Sequence, residues 1–441
     1  MLYRFLKFLV SIGIRFYYKE VKVLNDEVLL PLKNEPLIII ANHPNTLMDA
    51  MMIGFTCKQP IHFMAKGTLF NSPFKLWLLQ KFNMIPINRQ GEGKIKGVSN
   101  QDSFNACYKV LEEGKTLVVF PEGTSFLERH LRELKSGTAR IALETESRNN
   151  CQLNLRVIPV GLNYLQAEKF RSSVLVNVGS PISVKEYVED YRKDNGKTAK
   201  KLTEQFRVNL ERVLVNSESK EHESIVDDLE EILSSKYLRQ KEKGVEGEIQ
   251  FLKIIRDKVD EIQLTRPWEI DELKTIVKDI NRQLLKFEIR PDFLDRRFRL
   301  RMFFRQLIFS IILILIGFPV FVLGLLINIF PYKITDYIVP KLTKDIEYIA
   351  PLSVLMGLFL YPLNYGVIYY FTADYFANSV FEKLLYFSVF PVSGLLAFSY
   401  SRYFLHVTFK WSYIYHMIYH RKAILDIQQK RSILMKLILD K

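Results

Sequence analysis

Residues Leu307–Phe330 form 24 consecutive positions without a charge, and Tyr348–Ala373 form 26. A hydrocarbon core of ~30 Å needs about 20 helical residues, so each run is long enough to span a bilayer. A third run, Leu384–Ser401, holds 18 and is borderline. Tyrosines and phenylalanines border the longer runs, as at membrane interfaces. The chain is nonetheless only 48% hydrophobic, ordinary for a soluble protein, and residues 185–300 are rich in Lys and Glu. One chain therefore joins a water-facing part to a membrane part. Arg296, Arg297, Arg299, Arg301 and Arg305 precede the first run, and Arg402, Lys410, Arg421 and Lys422 follow the last. Both flanks are expected in the cytoplasm, which predicts an even number of crossings with one run re-entrant or interfacial.

The net charge of +14 favours an anionic partner. With no zinc-finger spacing and no RNA-recognition signature, the bilayer is the better reading and nucleic acid the weakest. Cys57, Cys107 and Cys151 lie far apart without a CxxC, giving neither a disulfide framework nor a metal site. At the start of the chain, Leu2, Phe5, Leu6, Leu9, Val10 and Ile12 or Gly13 fall near one helical face, punctuated by Arg4, Lys7 and Arg15. The stretch Phe8–Ile14 is too short to span, so an interfacial helix is expected, with packing on a neighbouring domain as the alternative.

Between residues 28 and 183, short apolar runs alternate with helical patterns. Strands are expected at Leu37–Ala41, Ile61–Ala65, Met84–Ile87, Thr116–Phe120, Leu155–Val160 and Val174–Val178. Helices are expected at Gln101–Glu113, closed by Gly114, and at 137–148. Such alternation implies an α/β layer fold with helices covering a sheet. Pro159 inside a strand-like run marks an edge or a bulge. Residues 185–300 read as charged amphipathic helices, such as Ile225–Leu238 and Ile249–Ile262. The expected organisation is an interfacial helix (1–22), an α/β domain (23–190), a charged helical insert (191–300) and a membrane domain (301–441).

The segment PLIIIANHPNTLMDA carries the strongest chemical signal. Its strand runs into His43 at a strand-to-helix turn, on the carboxyl edge where open α/β sheets bind ligands. Asn45 or Thr46 can cap the following helix. Asp49, one turn in, can reach back to the imidazole, fix its tautomer and raise its basicity. TLVVFPEGTS brings a second strand into Glu122, Gly123 and Thr124, where glycine admits a close ligand and hydroxyls can donate to phosphate. Arg89, just past another strand, suits bidentate phosphate binding, with Lys66 as a point charge and Lys135 at a helix start.

In this order, NHPNTLMD, GTLF…IPINR, FPEGTS and VIPVGLN resemble the motifs of the glycerolipid acyltransferase family, over roughly residues 30–185. The resemblance implies a mixed sheet flanked by helices, a catalytic His43–Asp49 dyad, and substrate binding by Arg89, Glu122, Gly123 and Thr124. Lys66, Lys135 and Asn45 complete the candidate substrate set. It also implies an acyl-CoA or acyl-carrier-protein donor and no metal. The family's usual spacing leaves four residues between His and Asp, whereas five separate His43 from Asp49. That spacing, with Asn45 and the ending LGLLINIFPY, is similar to a subgroup acylating glycerol 3-phosphate or dihydroxyacetone phosphate. The expected protein is therefore an integral membrane enzyme of phospholipid synthesis, with its catalytic domain on the cytoplasmic face. Lysophosphatidate acylation is the alternative, and a non-catalytic membrane scaffold the remote one.

Overall fold

A computed structural model describes residues 2–30, 35–88, 100–240, 244–295 and 300–439. The chain divides into two compact units, Met1–Lys220 with Asp345–Val354, and Glu221–Lys344 with Leu355–Lys441.

The first unit runs α1 (Leu2–Tyr17), β1 (Glu20–Leu24), β2 (Leu37–Ala41), α2 (Thr46–Thr56), β3 (Ile61–Lys66), α3 (Pro73–Lys81) and β4 (Met84–Ile87). It continues through α4 (Asn100–Glu112), β5 (Thr116–Val119), α5 (Gly137–Arg148), β6 (Arg156–Tyr164), β7 (Ser173–Val178), β8 (Ile182–Ser183), α6 (Val188–Lys193) and α7 (Asn195–Val213). Among the described residues, eight strands form one mixed sheet in the order β1-β7-β6-β2-β5-β3-β4, with β8 also on β6. Neighbours from β6 to β4 are parallel, and β7 turns antiparallel to β6. β2 sits in the middle with all five residues buried, as its uninterrupted run LIIIA requires of a parallel strand covered on both faces. Ile38, Ile40, Leu117, Val119 and Val157 share a core with Leu111 of α4, Ile141 of α5 and Phe206 of α7.

Several expectations are corrected. Of the two expectations for Pro159, the edge fails and the bulge holds: it pairs in register with Ile40 of central β2, its carbonyl accepts from Gly179 N–H at 2.8 Å, and the register of β6 slips by one residue between Val160↔Val178 and Val157↔Ile182. A residue's N–H and C=O face the same side of a strand, so the missing donor faces the side where β6 changes partner from β8 to β7. No ladder bond is lost there. The first unit also extends past residue 190 to Lys220, because α7 buries Ala199, Leu202, Phe206 and Leu210 in the core of the sheet. Its end is pinned by Asn163, whose side chain donates to Val213 C=O at 3.0 Å and accepts from Val215 N–H at 2.8 Å. Gly161 lets Val213 approach, since a Cβ there would collide with its carbonyl oxygen. Helix α1 packs on α2 and buries Gly13, Ile14 and Tyr17, leaving Leu2, Phe5, Phe8 and Phe16 exposed. The face expected to be apolar is thus split between a packed side and an open one.

The second unit holds α8 (Lys220–Gln240), α9 (Val245–Thr265), α10 (Pro267–Lys286), α11 (Leu300–Leu342), α12 (Ile349–Phe376, beyond its first residues), α13 (Val380–Tyr419) and α14 (Arg421–Leu439). Helices α9, α10 and α14 pack together, and buried Arg431 of α14 pairs with Asp295 while donating to Ile232 C=O at 2.7 Å. Among the described residues, three helices are long and apolar enough to cross a membrane: Arg305–Leu342, Ile346–Phe376 and Val380–Tyr419. The borderline run 384–401 lies inside the last of these. Leu326, Phe359 and Phe381 are 70%, 69% and 71% exposed, which suits lipid and not water. α11 and α13 run antiparallel, with Ser310 meeting Tyr403 and Asn328 meeting Phe390.

Candidate active site

Parallel pairing aligns the carboxyl ends of β2, β5, β3 and β4, so the segments that follow them share one edge of the sheet. His43 follows β2, Phe120–Gly123 follows β5, and Lys66 closes β3. Asn42 prolongs the ladder beyond Ala41 with a side-chain amide in place of a peptide. Its Oδ1 accepts from Leu162 N–H at 2.8 Å and its Nδ2 donates to Leu162 C=O at 3.1 Å. This pair of hydrogen bonds to β6 fixes the residue that aims His43.

The imidazole Nδ1 of His43 lies 2.9 Å from Asp49 Oδ2. Five residues separate the two, and the turn closes that distance because the helix begins only at Thr46, whose φ of 43° is left-handed. The bend is held from below and outside. Asn45 N–H donates to Asp49 Oδ2 at 2.7 Å, and the Thr46 hydroxyl donates to Glu347 C=O at 3.0 Å. Tyr164, at the end of β6, donates its hydroxyl to Asp49 Oδ1 at 2.8 Å. Burial pushes the Asp49 carboxyl above the usual carboxylate range, and its bonds from His43, Asn45 and Tyr164 pull it back down. With Nδ1–H donated to Asp49, Nε2 is left with a lone pair. The ring stacks on Phe120 at 4.1 Å, and 14% of the His43 side chain stays exposed.

The Glu122 carboxylate is held by two backbone amides. One oxygen accepts from His43 N–H at 2.9 Å and the other from Arg132 N–H at 3.1 Å, so it ties the histidine turn to the loop after β5. Burial raises its carboxyl, and these amides counter the shift. Asn45 is likewise turned inward, 1% exposed, with its amide donating to Ala167 C=O at 2.9 Å. Its Oδ1, by contrast, is buried without a hydrogen-bond partner and remains a spare acceptor inside the turn.

Gly123 has φ +77°, a conformation that favours glycine, and a Cβ on it would lie 2.7 Å from Lys135 Nζ. The lysine ammonium therefore covers the glycine turn, just before α5 begins at Gly137. Thr124 follows, partly exposed. The structure thus gathers His43, Asp49, Glu122, Gly123, Thr124 and Lys135, with Lys66 on the same sheet edge. Arg89 lies outside the described residues, two positions after β4 ends at Ile87. Asn42, Phe120 and Tyr164 escaped sequence reasoning. Tyr164 is 115 residues from Asp49, and no spacing joins a strand end to a helix turn at that range.

Burial pushes the thiols of Cys57 and Cys107 up to about 12, so neither supplies a nucleophile. The arrangement offers a general base with an opening, and beside it a cationic, glycine-lined turn.

Residues 20–163 match the model of the Acyltransferase family. An uncharacterized acyltransferase of Schizosaccharomyces pombe is 40% identical over 20% of this chain and 13% of its own. Glycerol-3-phosphate O-acyltransferase 1 of Saccharomyces cerevisiae is 28% identical over 30% of this chain and 18% of its own. A 1-acyl-sn-glycerol-3-phosphate acyltransferase of Borreliella burgdorferi is 26% identical over 37% of this chain and 62% of its own. The matched stretch spans less than two thirds of each relative.

Proposed function

We propose that this chain, whose residues 20–163 form a domain of the Acyltransferase family, transfers a fatty acyl group from an acyl thioester to glycerol 3-phosphate or dihydroxyacetone phosphate. The observation that carries the chemistry is the 2.9 Å bond from His43 Nδ1 to buried Asp49, beside the Gly123–Lys135 turn. The acceptor hydroxyl gives its proton to His43 Nε2 as its oxygen attacks the thioester carbonyl. Asp49 stabilises the imidazolium that forms, and the same proton then serves the departing thiolate. Base catalysis of this kind contributes ~10²–10⁴-fold. No acyl-enzyme is needed.

Lys135, Gly123 and Thr124 hold the acceptor phosphate, with Lys66 and Arg89 as further cations. Holding the hydroxyl at the base adds several kcal/mol, on the order of 7–11 at most. The donor is acyl-CoA or acyl-carrier protein. Similarity to a yeast glycerol-3-phosphate acyltransferase over 30% of this chain supports the three-carbon acceptor. Similarity to the Borreliella enzyme supports lysophosphatidate as the second reading.

The three apolar helices support attachment to a bilayer, and the exposed face of α1 supports an interfacial contact. We place the catalytic domain and both basic flanks on the cytoplasmic side. Cysteine labelling that puts positions 305 and 421 on opposite sides would overturn that placement.

The deciding assay offers labelled acyl-CoA and acyl-carrier protein to the full chain with each acceptor, alongside His43→Ala. Transfer to a three-carbon phosphate that is lost in the variant supports the proposal. Transfer to lysophosphatidate alone moves it to the second reading, and no transfer from either donor refutes it.

A further inference from the structure

We propose that Tyr164 is a positioning residue of the acyl-transfer site, acting through Asp49 on His43; the inference rests on the dyad reading above. Its hydroxyl donates to Asp49 Oδ1 at 2.8 Å, while Oδ2 takes His43 and the Asn45 backbone N–H. A carboxylate bonded on one oxygen alone can rock about its Cβ–Cγ axis. With donors locked on both, its plane is fixed, and the imidazole that leans on it is fixed as well.

Packing alone does not call for the hydroxyl. Tyr164 is 6% exposed and Asp49 0%, and phenylalanine would fill the same space without a polar atom to satisfy. The phenol is also anchored from behind. Its ring lies 5.9 Å from that of Tyr18, whose hydroxyl donates to Ala167 C=O at 3.3 Å, the carbonyl that Asn45 also uses. Tyr17, at the end of α1, donates to Glu168 C=O at 2.7 Å. The relay is thereby joined to the helix whose other face is open and apolar. Burial keeps Tyr164 protonated well above the ordinary phenol range, so it acts as a donor throughout the working pH range.

The charged and titratable groups facing Asp49 are His43 from the β2–α2 turn, Tyr164 from β6, Tyr18 just past α1 and Glu122 from the loop after β5. Loss of the Tyr164 bond removes a stabiliser of the carboxylate and adds no charge. The dyad then takes up a proton more readily, so the acidic limb of kcat/KM moves to higher pH.

The test is Tyr164→Phe in the full membrane-bound chain, with 3-fluorotyrosine at the same position as the conservative replacement. A hydrogen bond to a charged group carries about 10- to 100-fold in rate if fully expressed in the transition state. The expected result is a kcat loss of that order, an unchanged acceptor KM, and an acidic limb moved up. Fluorotyrosine, which keeps the hydroxyl, restores kcat. A wild-type kcat and pH profile in Tyr164→Phe overturns the proposal, as does a kcat loss that only tracks a smaller folded fraction in thermal melts. If the wild-type chain transfers no acyl group, the acyl-transfer reading fails separately. The His43 Nδ1–H resonance then decides the tyrosine: a shift in Tyr164→Phe supports its hold on the dyad, and an unmoved resonance refutes it.

Discussion

Replacing Asp49 with asparagine should separate catalysis from stability. The carboxylate lies 2.9 Å from His43 Nδ1, so at an effective dielectric near 20 it favours the imidazolium by about 6 kcal/mol before any compensation. That is about four decades in rate. Asparagine keeps an oxygen for His43 and Asn45, and the Tyr164 hydroxyl can turn to accept from the new amide. The loss is then mainly the charge, and the comparable acid-to-amide change in a serine-protease triad costs about 10⁴. We expect kcat to fall about 10³–10⁴-fold with the acceptor KM little changed. Stability should move the other way. Burial raises the Asp49 pKa in the fold, so the native state binds this proton more tightly than the unfolded chain. The corresponding stability is fully present below the unfolded pKa of about 4 and is lost as pH rises through the folded value. Asp49→Asn removes that loss, so its melting temperature at neutral pH should equal or exceed that of the wild type, with a flatter pH dependence above pH 4. Acyl transfer by radiolabel and melting by circular dichroism across pH check both halves. A kcat within a few-fold of wild type would refute the dyad, and a large drop in melting temperature would show that the carboxylate chiefly holds the fold.

Other substitutions probe single contacts. Gly123→Ala places a methyl against Lys135 in a left-handed backbone, so the KM for the phosphorylated acceptor should rise about 10-fold with a smaller change in kcat, measured by steady-state kinetics. Gly161→Ala drives a methyl into the Val213 carbonyl at the end of α7 and should cost about 1–3 kcal/mol in denaturant titration. Arg431→Met leaves Asp295 buried without its cation. That should destabilise the packing of α14 against α8 by about 3–5 kcal/mol, read as earlier proteolysis there while the His43 site stays protected.

Local features of the chain were legible without coordinates. The runs of 24 and 26 uncharged residues foretold long apolar helices, because the period and length of apolar residues are local properties. LIIIA and TLVV read as strands, and the motifs after them named His43, Asp49, Gly123 and Lys135, because strand ends and glycine turns are short-range patterns. Strand β1 was missed, since EVKVL alternates charge with apolar residues and shows no continuous run. Boundaries between units were also hidden: α7 reads as charged as the helices after it, and only its buried Ala199, Leu202, Phe206 and Leu210 assign it to the sheet. Only the tertiary structure showed that Glu122 and Asn45, both candidate substrate ligands, brace the turn. A side chain's type states what it can bond, and its placement decides which partner reaches it first. Tyr164 shows the same division most clearly. The sequence supplied a hydroxyl at the end of a strand, and the pairing of β6 with β2 brought that hydroxyl to Asp49, 115 residues away along the chain.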